Sequence, residues 1–262
     1  MQAMKKILSV FFLGISLCLV AQGSDLKDAE QIDSSGLSIG IHASPDLAYR
    51  ALFNMDGSNS SDIVISSRNG YESLKFSFTA GAVIGWRLNK KFRLESGLNY
   101  SNMGFELDFD KLPFTFSPEI SDRNGLPYVS GPVDLRIPYR NRKHLHYLEI
   151  PLKVFYRKEW RRWAIVSGLG ISGGWLMLAN ETLLYRDANG DKDRSTRLSA
   201  TDFKAFNVFA LVSAGAEYRF SPRFSLRMEP SFRYGMIPIS NTPVSAGLWN
   251  VGLSSAFFYH IP

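Results

Sequence analysis

Residues Phe206 to Tyr234 read FNVFALVSAGAEYRFSPRFSLRMEPSFRY, and this stretch decides the fold. Phe206, Val208, Ala210, Val212, Ala214, Ala216, Tyr218 and Phe220 occupy every second position, with Asn207, Phe209, Leu211, Ser213, Gly215, Glu217 and Arg219 between them. After Ser221-Pro222-Arg223 the pattern resumes, with Phe224, Leu226, Met228, Pro230, Phe232 and Tyr234 alternating with Ser225, Arg227, Glu229, Ser231 and Arg233. Alternation at period two means strands, and two such runs across three residues mean a hairpin. One face is continuous, apolar and rich in aromatics; the other carries small residues and both signs of charge. A soluble sandwich would turn the apolar face inward, whereas a membrane barrel turns it out to lipid and closes a polar lumen.

The same test along the chain gives six further strands. They are Leu37 to about Ala51 with a break at Pro45, Leu74 to Leu88, Phe92 to Leu107, His144 to Tyr156, Trp163 to Leu178 and Leu248 to Ile261. A phase change at Asn102-Met103 predicts a bulge in the third. Three connections are short: Asn89 to Lys91, Lys158 to Arg162, and Ser221 to Arg223. Four are long and polar: Leu52 to Ser73, Asp108 to Lys143, Asn180 to Asp202, and Gly235 to Gly247. Long and short alternate strictly, as they do when all turns lie at one end of a barrel and all loops at the other. The expected fold is therefore all-β, an eight-stranded antiparallel up-and-down transmembrane β-barrel with both termini periplasmic. Aromatics at the strand ends predict two interfacial girdles. Trp86, Phe92, Tyr156, Trp163, Phe220, Phe224 and Tyr259 lie near the turns, and Tyr100, Tyr147, Trp175, Phe206, Tyr234 and Trp249 near the loops. The soluble alternative would expose Gly168, Gly170 and Gly174 to water for no gain; in a narrow barrel they belong inside. Trp163 to Asn180 is long enough for a transmembrane helix, but its glycines depress helix propensity and its residues sort by twos.

Lys5 and Lys6 precede the apolar run Ile7 to Ala21, and Ala21-Gln22-Gly23 offers small residues where a signal peptidase reads. The expected division is a signal peptide over 1–23, a short polar segment over 24–36 and a barrel over 37–262. Cys18, the single cysteine, leaves with the signal, so disulfide and thiolate chemistry fall away. The formal charge of +6 is mild, and its bases are scattered among acids, which argues against a nucleic-acid partner.

Several of these features together resemble the outer-membrane β-barrel family of Bacteroidota that includes the PorT-like proteins. They are the signal peptide, the strand Tyr147-Leu148-Glu149-Ile150-Pro151-Leu152 after a long loop, the glycine-rich strand after a short turn, and the closing Phe257 and Tyr259. The resemblance covers Leu37 to Pro262 and implies an outer-membrane location. If it extends to role, it implies an accessory part in protein secretion or envelope assembly. Partners of such a protein are outer-membrane lipid and lipopolysaccharide, and the barrel-insertion machinery during biogenesis.

The predicted lumen holds Arg87, Arg93, Glu95, Glu149, Lys153, Arg157, Glu217, Arg219, Arg227, Glu229 and Arg233. Isolated charges in so narrow a space are costly, so these are expected to pair into a structural lattice that plugs the barrel. Residues 187–193 place Asp187, Asn189, Asp191 and Asp193 at alternate positions, as in an acidic calcium loop, but Lys192 stands where that motif wants Gly and Leu198 where it wants Glu. An acidic solvated turn is the plainer account. His144 and His146 share a strand face without a third ligand. No nucleophile–base spacing stands out. The expectation is a non-enzymatic protein with no cofactor and no metal; the alternatives are a lipid-modifying barrel enzyme and a narrow small-solute porin. The 108–143 loop, with Pro113, Pro118, Pro127, Pro132 and Pro138 beside Phe114, Phe116 and Tyr128, is the expected surface for a protein partner.

Overall fold

The computed structural model describes residues 36–109, 137–186, 191–199 and 203–262. Eight long strands close into a ring: β1 (Leu37–Asn54), β2 (Lys75–Arg87), β3 (Phe92–Asp108), β4 (Ile137–Trp160), β5 (Trp163–Arg186), β6 (Phe206–Arg219), β7 (Phe224–Gly235) and β8 (Val244–His260). Each pairs antiparallel with its sequence neighbour, and β1 pairs with β8, Ser38 opposite His260 through Asn54 opposite Val244, so no edge is left open.

The short turns form for local reasons. The Asn89 side chain accepts from the backbone N–H groups of Lys91 and Phe92, and Ser221 Oγ does the same for Arg223 and Phe224. The third is tighter than the sequence suggests: β4 and β5 pair out to Trp160 opposite Trp163, leaving two residues, and Arg161 adopts φ 56° to close the bend.

The outer face is apolar along every stave. Ile41 is 67% exposed, Phe76 74% and Leu169 65%, and the inward neighbours Ala164 and Val166 are sealed. A water-soluble protein does not leave so continuous an apolar belt uncovered, whereas lipid acyl chains cover it. No helix among the described residues is long and apolar enough to cross a membrane, and Trp163 to Asn180 lies in strand β5.

Three expectations are corrected. Pro45 does not break β1; the ladder to β2 runs straight through it, and only the β8 side skips Ser44 and Pro45, where the missing N–H has nothing to donate. The irregularity expected at Asn102-Met103 is present on one side of β3: its register with β4 holds through Asp108, but on the other side it slips by one residue between Asn102 opposite Phe78 and Glu106 opposite Ser73, and Gly104 takes φ 141°. Further irregularities lie between β4 and β5, at Pro138/Arg140 and His146/Tyr147. The long connections are partly structured: β4 begins at Ile137, β5 runs to Arg186, and Lys192–Leu198 folds back as an added strand on β5. The Leu52 to Ser73 segment holds a helix, α1 (Asn59–Tyr71), capped by Ser58 with Asp62 in its first turn and Arg68 in its last.

Candidate functional site

The interior of the barrel is the site that the sequence singled out, and it is built in layers. Glycine on β5 gives it width. A Cβ at Gly168 would press into the Phe155 ring, and one at Gly174 would come within 2.8 Å of Phe209. These glycines let large side chains from the neighbouring strands β4 and β6 lie across the lumen.

Toward the short-turn end those side chains are charged. All eleven predicted lumen residues enter ion pairs. Glu159 draws Arg87 (3.6 Å), Arg157 (3.4 Å) and Arg219 (3.9 Å). Arg157 continues to Glu217 at 3.2 Å, Glu217 to Arg93 at 3.6 Å, and Arg93 to Glu95 at 3.1 Å. Arg227 grips both oxygens of Glu95, at 2.6 and 2.7 Å, and touches Glu229 at 3.5 Å, which Lys153 also reaches at 3.5 Å. One unbroken chain of charge therefore threads ten side chains from the turn end to the middle of the barrel. Arg233 and Glu149 form a separate pair, braced by Ser101 and Ser172. The bidentate geometry at Glu95 and the full burial of both partners make that contact the strongest in the set.

Sequence reasoning missed four members. Glu159, the hub for three arginines, was assigned to a turn. Phe155 and Phe258 face inward and sandwich the Arg227 guanidinium at 4.2 and 4.8 Å, with Arg93 over Phe258 at 4.2 Å. Asp46, beside the supposed break at Pro45, is buried with no cation on it among the described residues; Ser44 (2.6 Å), Thr79 (2.7 Å) and Asn250 (2.9 Å) donate to it instead, and Arg233 donates to Thr79 at 2.8 Å. Strict alternation along β1 and β8 would have found Asp46 and Phe258. Around Asp46 and His42 the lattice leaves two small voids, of about 50 and 20 Å³. Each is room for a very few waters.

Toward the long-loop end the lumen is apolar, contrary to the uniformly polar interior expected. Met103, Phe105, Leu145, Tyr147, Phe209 and Leu248 are buried together, and Tyr147 meets Phe209 edge to face at 5.4 Å. Tyr147 is therefore a plug residue and not part of the outer girdle. Along β3 the inner row switches from polar to apolar at Met103, beside the register slip on its β2 side.

Among the described residues no catalytic geometry emerges. Ser225 Oγ and His260 Nε2 are 2.9 Å apart, and Glu217 stands 4.0 Å from the same Nε2, so the imidazole is not oriented from its far nitrogen as a nucleophile's base is. Ser225 is fully buried at the short-turn end. His144 and His146 face outward with stacked rings 6.2 Å apart, and His146 Nδ1 is engaged by the Tyr100 hydroxyl. Among the described residues no cluster of three metal-ligating side chains exists. Asp187 and Asn189 of the 187–193 motif lie outside the described residues, as do residues 110–136 of the second loop and the proposed signal peptide.

A closed ring of eight alternating strands, apolar outside and charged within, defines an integral membrane β-barrel of the outer-membrane class. The family model described as "Outer membrane protein beta-barrel domain" matches residues 20–241, and the chain belongs to that family. Among curated proteins none matches at a significant level. Solved structures to which the chain is similar include Neisserial surface protein A (14% identity, 87% of this chain and 99% of that one, TM-score 0.43). They also include OprG of Pseudomonas aeruginosa (11% identity, 87% and 97%, TM-score 0.46) and Ail of Yersinia pestis (12% identity, 85% and 99%, TM-score 0.33).

Proposed function

We propose that the protein is a closed, non-enzymatic barrel that works through its long-loop end as an interaction platform in the outer membrane. The observation that carries this reading is occlusion at two levels. The ion-pair chain fills the turn half, the apolar plug fills the loop half, and the voids between them are too small for a solute. A conducting pore needs a continuous wet path, and a barrel enzyme needs a reachable nucleophile; the Ser225–His260 contact is buried away from the loops. The signal peptide over 1–23 and periplasmic termini set the orientation, which turns the long loops outward. Lipopolysaccharide surrounds the belt, the insertion machinery acts during assembly, and the 108–143 loop is the surface for a protein partner. An accessory role in secretion or envelope assembly, the PorT-like role, is the form of partnership to test first.

The test is reconstitution into planar bilayers at neutral pH. Absence of stable openings supports the closed barrel, and steady conductance overturns it. In the cell, deletion should leave the lipid profile unchanged, while exported proteins held back in the periplasm would mark the secretion role.

A further inference from the structure

The short-turn rim of the barrel is basic, and its charge is unpaired. Its three turns carry Lys90, Lys91, Lys158, Arg161, Arg162 and Arg223, all exposed, against a single acid, Glu159. Glu159 already serves Arg87 at 3.6 Å, Arg157 at 3.4 Å and Arg219 at 3.9 Å. None of the six exposed cations enters an ion pair among the described residues. Backbone hydrogen bonds tie the turns side to side: the N–H of Arg157 donates to the Lys91 carbonyl and that of Arg219 to the Arg162 carbonyl, each at 2.7 Å. The cations therefore form one arc from β2 round to β7. At the long-loop end the signs mix, with Asp56, Asp62, Asp191 and Asp193 among Arg68, Lys192 and Arg194.

The arc also lies at a defined depth. Trp86, Trp160 and Trp163 are exposed on the same rim, and indoles settle at the headgroup level of a bilayer. Trp160 stands opposite Trp163 in the ladder, so Arg161 and Arg162 project just beyond two indoles. Lys158 continues the outward row of Leu152, Val154 and Tyr156, which brings its ammonium to the edge of the lipid-facing belt. The basic surface is thus continuous with the face that lipid covers. Its charge complements a phosphodiester with no cation of its own, whereas a zwitterionic headgroup carries an internal counter-charge.

We propose that this arc recruits anionic glycerophospholipid, with phosphatidylglycerol as the simplest form, to the leaflet at the turn end. In the orientation proposed for this barrel that leaflet is the periplasmic one. The binding rests on the lipid-covered belt and not on the closed lumen.

Spin-labelled phosphatidylglycerol and phosphatidylcholine are compared at trace level in phosphatidylcholine vesicles that hold the protein, and the fraction of each immobilised on the barrel is read by electron paramagnetic resonance. Association of phosphatidylglycerol at least threefold stronger is expected at low salt, falling toward parity in about 1 M NaCl, where charge is screened within ~3 Å. Lys90→Gln, Lys91→Gln, Lys158→Gln and Arg162→Gln together should bring the two lipids to parity. The charge-keeping set Lys90→Arg, Lys91→Arg, Lys158→Arg and Arg162→Lys should retain the preference, as should Lys192→Gln with Arg194→Gln at the loop end. If the fourfold Gln variant does not insert, Lys158→Gln with Arg162→Gln is read in its place, and the preference should at least halve. Equal association in the parent, a preference that survives neutralisation of the turns, or an equal loss in the loop-end control overturns the proposal. A preference that emerges only when Asp25, Asp28, Glu30 and Asp33 are changed to Asn or Gln also overturns it, and gives the arc to the acidic segment before β1.

Discussion

Arg227 offers the sharpest test of the lattice. It donates to Glu95 at 2.6 and 2.7 Å, touches Glu229 at 3.5 Å, and lies between the rings of Phe155 and Phe258. Arg227→Met keeps an unbranched apolar stem against both rings and removes only the charge. Breaking a buried pair by deleting one partner costs about 3–5 kcal/mol, because the other charge stays behind. Here Arg93 remains 3.1 Å from Glu95 and Lys153 remains 3.5 Å from Glu229, which places the expected loss at the low end, about 3 kcal/mol. That corresponds to roughly a 150-fold fall in the folding equilibrium. The assay is urea unfolding of the barrel in lipid vesicles, followed by tryptophan fluorescence. The double variant Arg227→Met with Glu95→Gln removes the stranded charge and should recover at least about 1 kcal/mol of the loss. A single variant within about 0.5 kcal/mol of the parent, or a double variant weaker than the single, would refute the view that this contact is a buried, desolvated pair.

Other perturbations separate the remaining layers. Leu169→Arg, on the outer face where β5 pairs with Val154 and Val212, should cost about 2–4 kcal/mol in vesicles. Ile63→Arg on α1, just as exposed, should stay within about 0.5 kcal/mol, and equal costs would deny that lipid covers the belt. Gly252→Val drives a side chain into Asp46 and the Ser44 hydroxyl and should destabilise by about 1–3 kcal/mol in the same assay. Glu72→Gln removes the carboxylate that holds Arg50 of β1 and Arg68 of α1; hydrogen exchange should quicken across Asn59–Tyr71 while the membrane-level strands keep their protection.

Much of this molecule is written in single-residue alternation. The hairpin at Phe206 to Tyr234, the outward rows of β2 and β5, and the inward placement of the eleven charges follow from period two alone. A β-strand sends neighbouring side chains to opposite faces regardless of what lies around it. The errors cluster where that rule was abandoned. Pro45 was read as a break because proline lacks a donor, but a closed sheet tolerates one skipped rung, and the strand beyond it carries Asp46 inward. Glu159 was placed in a turn because nothing in the sequence marks a hairpin that tightens to two residues at Arg161. The α1 helix was hidden because a polar loop segment with few apolar positions has little helical period to display.

The sequence by itself determined the location and the architecture, since a polar backbone crosses lipid as strands only when it closes on itself and sorts its side chains by solvent. Tertiary structure alone decided which charges meet and that the loop half of the lumen is apolar. Those outcomes depend on register and stagger across strands far apart in the chain. Arg227 finds Glu95 across 132 residues, and no local pattern records that distance.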